Sequence, residues 1–131
     1  MKSPIKILVV DDEEIVRITL VAYLEDEGFS VISANSGEEA LERLADQKAD
    51  IGIIDMRLPG IDGNTLISKL NRIMPDMKFI IHTGSMGYSL PESLVRLGIS
   101  NELVFKKPIK SMKDFVEMIR KLTGKPGPSD G

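Results

Sequence analysis

Short, apolar, β-branched runs alternate with amphipathic segments along this chain, and that alternation restricts the fold more than any other feature. IKILVV (5–10), DIGII (50–54) and KFIIH (78–82) are bounded by polar residues or turns. Runs of this kind suit strands buried on both faces of a parallel sheet. FSVISA (29–34) alternates apolar with polar and reads as an edge strand, while LVF (103–105) is a short fifth candidate. Helical patterns lie between them. Val16, Leu20, Tyr23 and Leu24 mark a helix over 15–27 that Gly28 stops. Ser36 with Glu39 forms a capping box ahead of Ala40, Leu41 and Leu44, and Ser111 with Asp114 repeats the signal ahead of Phe115, Val116, Ile119 and Leu122. A shorter helix is expected over 63–74, and another from Pro91 to Gly98. Strand–helix alternation five times over predicts an α/β domain with a parallel sheet, because parallel neighbours need crossover connections. In such sheets ligands bind beyond the carboxyl ends of the strands, at a topological switch point.

The bulk properties narrow the chemistry. A chain of 131 residues suits one domain, expected over 1–123, with GKPGPSDG (124–131) as a flexible tail or the start of a linker. A net charge of −3 carries no large basic footprint, so no direct nucleic-acid binding is expected of the domain. With no cysteine, disulfides and thiolate metal sites are excluded, and the single histidine, His82, rules out a multi-histidine site. His82 itself reads as a strand or surface residue, not as a ligand or base. The start, MKSPIKILVVDD, is too short an apolar run for a signal peptide or a membrane span and ends in acids, so the expected compartment is the cytoplasm.

At the strand ends stand Asp11-Asp12, Asp55, Thr83 and Lys106-Lys107-Pro108. Taken singly, each has a structural job. An acid after a strand forms turns or caps the next helix. Threonine is a good strand residue, and a lysine before proline is a surface lysine. Taken together, three carboxylates on one patch repel unless a cation holds them. Oxygen ligands without Cys or His select Mg²⁺, or Mn²⁺, over zinc. A lysine opposite the metal pairs with a phosphoryl oxygen, and an aspartate so placed can be a covalent nucleophile.

The motifs VVDDEE (9–14), DMRLPGIDG (55–63), HTG (82–84) and FKKPI (105–109), in this order and each at its own strand end, resemble the receiver domain of two-component response regulators of the chemotaxis-regulator kind. The resemblance covers about residues 5–122. It implies a doubly wound, flavodoxin-like (βα)5 sandwich with sheet order 2-1-3-4-5. It implies that Asp55 accepts phosphate from a histidine kinase or phosphotransfer protein, and that Asp11 and Asp12 hold Mg²⁺ together with Asp55 and the backbone carbonyl of Arg57. Thr83 and Lys107 would bind the acyl phosphate, and the Lys107–Pro108 bond would be cis. A signalling switch is implied, not a metabolic enzyme; its output partner is left open, with a phosphorylation-dependent homodimer as one option.

Three departures from the family pattern stand out. Val104 occupies the place of the usual switch aromatic, with Phe105 beside it and on the other face of the strand. GSMGYSLP (84–91) is glycine-rich, and the run from Gly98 to Lys107 is longer than the pattern, so the fourth helix is expected to start late or to be mobile. Arg57 and Ser85 hold positions that tune acyl-phosphate lifetime in the family; Arg57 either reaches the phosphoryl group, screens the attacking water, or is a solvated side chain. Asp62-Gly63 is expected to begin a helix and not to bind metal. Two other readings remain at this stage. One is a receiver that docks or dimerises without phosphorylation. The other is a Mg²⁺-dependent phosphohydrolase with an aspartyl nucleophile, although that class wants Asp-x-Asp on one strand and a cap segment.

Overall fold

The structure, a computed structural model, describes residues 4–124. Five strands alternate with five helices: β1 Lys6–Val10, α1 Glu14–Asp26, β2 Ser30–Ala34, α2 Gly37–Arg43, β3 Ile51–Ile54, α3 Gly63–Ile73, β4 Lys78–Thr83, α4 Glu92–Val95, β5 Val104–Lys106 and α5 Lys113–Thr123. The strands form one parallel sheet in the order β2-β1-β3-β4-β5. The polarity pattern of each strand follows its place in that sheet. Central β1 and β3 are buried almost throughout, whereas edge strand β2 buries only Ile32 and Ala34. The expected tail from 124 onward falls outside the described residues beyond Gly124, which closes α5 at φ +68°.

Helices cover both faces of the sheet. On one side α2 packs beside α3 and α3 beside α4. On the other, an Arg120–Glu27 ion pair at 3.6 Å joins α5 to the end of α1. The core between layers is aliphatic, built from Ile7, Val9, Ile53, Ile81, Leu20, Leu24, Leu66, Leu70 and Ile119. Phe115 of α5 is fully buried, stacked at 5.0 Å on Phe105 and meeting His82 edge-on at the same distance. His82 is thus a buried residue of β4, and neither ring nitrogen has a hydrogen-bond partner among the described residues.

Local signals resolve unevenly. The Ser36 hydroxyl accepts from the Glu39 N–H at 3.1 Å as expected, but the Glu39 carboxylate accepts from the Asn35 N–H, at 2.6 Å, instead of from the Ser36 N–H. Ser111 forms no capping box. The chain enters α5 already helical at Met112 (φ −65°, ψ −22°), and the Ser111 hydroxyl accepts from the Lys113 N–H at 3.3 Å. The fourth helix, expected to reach Gly98, is a single turn that ends at Val95. The sequence from 96 to 103 instead passes through Gly98 at φ +94° and a 3₁₀ turn, Asn101–Leu103, before β5.

One close approach fixes where α3 begins. Asp62 caps it through the Thr65 N–H at 2.8 Å, and the Gly63 N–H donates to the Met56 carbonyl at 3.2 Å. A Cβ at Gly63 would collide with the Asp55 carbonyl and with Met56. Gly63→Ala is therefore expected to cost about 1–3 kcal/mol, the usual penalty of overpacking. Urea denaturation measures it, and a cost no greater than that of a surface substitution would show that the contact relaxes freely.

Candidate functional site

Strand register, not local sequence, assembles the site. Val10 is paired with Ile54 across β1 and β3, so the next residues, Asp11 and Asp55, emerge side by side. The Asp55 N–H donates to the Val10 carbonyl at 2.9 Å, and the Asp11 N–H to the Ala34 carbonyl at 3.1 Å, so both backbones are still held by the sheet where the side chains turn outward. Both carboxylates are buried, while Asp12 is exposed. One oxygen from each of Asp11, Asp12 and Asp55 lies within 4.8 Å of the others. Two buried acids plus one at the mouth, all oxygen donors, fit a hard divalent cation. They do not fit zinc, whose usual ligands are thiolate and imidazole.

Lys107 reaches this cluster from β5. Its N–H donates to the Thr83 carbonyl at 2.8 Å, and its peptide bond to Pro108 is cis. Its ammonium lies 2.9 Å from Asp11 Oδ2, 2.8 Å from Glu13 Oε1 and 3.3 Å from Asp55 Oδ2. Burial works against that charge, but the hydrogen bonds of Glu13 and Asp11, with the charges of Asp11 and Asp55, outweigh it and hold the ammonium above its usual pKa. For Asp55 the balance goes the other way. Burial and then the Asp11 charge raise its pKa from 3.8 to about 6, against the opposing pull of Lys107 and the Arg57 N–H.

The remaining expected residues divide. Thr83 is fully buried at the end of β4, and its hydroxyl accepts from the Ser85 N–H at 3.1 Å. The Arg57 N–H donates to Asp55 Oδ1 at 3.2 Å, while the Arg57 side chain is exposed. Val104 is half-buried and paired with Ile81, and Phe105 turns to the α5 side against Phe115, away from the carboxylates. Two contacts carry no sequence signal. Glu13 bridges to a lysine 94 positions away. The Tyr88 hydroxyl, in the loop after β4, donates to Asn64 Oδ1 at 3.1 Å.

The carboxylate trio and the lysine lie beyond the carboxyl ends of the strands, where a doubly wound parallel sheet places its ligand site. The sequence matches the response regulator receiver domain family over residues 7–120, and the chain belongs to that family. It is 32% identical over 117 residues to the response regulator GacA of Pseudomonas aeruginosa, covering 88% of this chain and 55% of the relative. It is 30% identical to the response regulator MprA of Mycolicibacterium vanbaalenii, covering 98% of this chain and 54% of the relative. The chain thus spans about half the length of these curated relatives. Among solved structures it superimposes on a CheY-like receiver domain protein of Methanospirillum hungatei with a TM-score of 0.81 at 30% identity, covering 93% and 96% of the two chains. The response regulator TrrA of Thermotoga maritima, solved in complex with Mg²⁺-BeF, matches with a TM-score of 0.75 at 29% identity, covering 90% and 98%. Among the described residues no helix is long and apolar enough to cross a membrane.

The raised pKa of Asp55 has a measurable sign. Its protonation favours the folded state at low pH, and that contribution is lost as pH rises from about 4 to about 6. His82 acts oppositely: burial, then the Lys107 charge, lowers its pKa from 6.5 to about 4, so its contribution is lost as pH falls through that range. The two limbs offset each other in the parent protein, and a substitution separates them. In metal-free solution Asp55→Asn is expected to be more stable than the parent by about 1–3 kcal/mol at pH 7, converting the shift at ~1.4 kcal/mol per unit. Urea titrations across pH should show that margin shrinking toward zero near pH 4, and a margin independent of pH would refute the assignment.

Proposed function

We propose that this receiver domain takes a phosphoryl group on Asp55 from a histidine kinase or phosphotransfer protein and so switches a signalling surface. The observation that supports this most directly is the Lys107 ammonium set between Asp11 and Asp55, both buried, with the third carboxylate of Asp12 at the mouth. In the transfer, an Asp55 oxygen forms a bond to phosphorus as the donor's P–N bond breaks, and the leaving imidazole keeps the electron pair. A small acyl phosphate reacts likewise through its P–O bond, releasing a carboxylate. Above pH 6 Asp55 is ionised in most molecules and able to attack.

The other residues bind and orient. Lys107, raised in pKa and fixed by β5, offers positive charge to an oxygen of the incoming group. The Thr83 hydroxyl offers a donor to another, on giving its lone pair to the Ser85 N–H. Asp11, Asp12 and Asp55 would hold Mg²⁺, with the Arg57 carbonyl as a further oxygen ligand. When bound, Mg²⁺ supplies positive charge beside the transferring phosphoryl group. The Mg²⁺-BeF complex of TrrA supports that reading for a relative of the same family. Arg57 and Ser85, two positions past Asp55 and Thr83, would set how long the acyl phosphate lasts.

Incubation with acetyl phosphate and Mg²⁺ tests the acceptor. The parent protein should gain a phosphoryl adduct by intact-mass measurement and Asp55→Asn should not; an adduct on that variant would refute the assignment. Lys107→Ala should still bind Mg²⁺ while its phosphorylation slows by about 10²-fold, the scale of losing one stabilising charge at a reacting centre. An unchanged rate would remove Lys107 from the chemistry.

A further inference from the structure

The Lys107 ammonium donates to Glu13 Oε1 at 2.8 Å and to Asp55 Oδ2 at 3.3 Å, and pairs with Asp11 Oδ2 at 2.9 Å, so three carboxylate oxygens already crowd its three protons. A phosphoryl oxygen that engages Lys107 competes with these acceptors for the ammonium. The three are not equivalent. The side chains of Asp11 and Asp55 are 3% and 4% exposed, so neither can turn into water, whereas that of Glu13 is 60% exposed. We propose that Glu13 is a positioning residue: its carboxylate holds Lys107 over the acid pocket before transfer, and the phosphoryl group on Asp55 displaces it.

The backbone of Glu13 is built to stay while its side chain leaves. Its N–H donates to Asp11 Oδ1 at 3.0 Å, and its carbonyl accepts from the Arg17 N–H at 2.9 Å in the first turn of α1. Glu13 stands at the cap position of that helix, yet its side chain makes no capping bond and reaches across to Lys107 instead. Once displaced, the carboxylate remains beside the helix N-terminus, where the unpaired N–H groups and the helix dipole favour a negative charge. It therefore has a second favourable position within reach of its own side-chain torsions. A phosphoryl group brings a charge of about −1.5 to −2 and three acceptor oxygens to Asp55, enough to outcompete a single solvated carboxylate for the ammonium.

This inference rests on Asp55 being the phosphoacceptor, and its test separates the two. Glu13→Gln removes the competing charge while keeping the side chain's shape. It should lower the half-saturating acetyl phosphate concentration, and tighten beryllofluoride binding, by about two- to fivefold, the size of one exposed ion pair. The maximal rate should change less. Glu13→Asp, one methylene short of Lys107, should shift in the same direction. Glu14→Gln removes the same formal charge one residue on and should leave both quantities unaltered. In the absence of metal and donor, the Lys107 ammonium resonance, observed by ¹⁵N NMR, should move in Glu13→Gln and not in Glu14→Gln. Equal effects of the two variants, weaker beryllofluoride binding in Glu13→Gln, or an unmoved ammonium resonance would overturn the role of Glu13 alone. A parent protein that takes neither phosphate nor beryllofluoride would overturn the reading of Asp55 as well.

Discussion

Everything else in the molecule is arranged around one uncomfortable contact, two carboxylates side by side in a nearly dry pocket. Asp11 and Asp55 are placed there by the pairing of β1 with β3, and the sheet cannot form in this register without bringing them together. Desolvation and mutual repulsion make that costly, as the raised pKa of Asp55 records. Lys107 offsets part of the cost, and its place is fixed in turn by the parallel pairing of β5 with β4 and the bond from its N–H to Thr83. The site is therefore not decoration on the edge of the fold. It is an electrostatic strain that the fold maintains, and which a cation would relieve.

The parts of this arrangement that follow local rules were legible in the sequence. Apolar runs without alternation marked β1, β3 and β4 because strands buried on both faces need no polar side, and the alternation in 29–34 marked β2 as an edge. Parallel order then placed Asp11, Asp55, Thr83 and Lys107 at one end of the sheet without further information. Other features were hidden because they depend on partners far along the chain. Glu13 had no assigned role in the sequence, since nothing near residue 13 announces a lysine at 107. His82 read as either a strand or a surface histidine; its burial depends on Phe115 arriving from α5. The early end of α4 was hidden for another reason. The segment 91–98 has acceptable helical residues, but the chain leaves the helix at Arg96 and turns through Gly98 toward β5.

The region with the least regular structure is also the one that departs from the family pattern. Val104 leaves no ring on the inner side of β5, and Phe105 is spent on packing against Phe115. The aromatic nearest in sequence to Thr83 on the following loop is Tyr88, tied by its hydroxyl to Asn64 at the start of α3. Thr83 holds the beginning of the same loop through Ser85. The loop is therefore fastened at one end to Thr83 and further on to the helix that follows Asp55.

The bond between Glu13 and Lys107 joins residues 94 positions apart, and this has a consequence for the order in which the protein comes into being. A ribosome delivers Asp11, then Asp55, long before it delivers the lysine whose ammonium pairs with both carboxylates. Until β5 docks, a nascent chain that pairs β1 with β3 would hold two adjacent anions with no ammonium between them. Closing so long a loop is slow relative to local pairing. The final strand thus acts as more than the edge of a sheet: its arrival brings an ammonium to a patch of anions that the first half of the chain has already assembled.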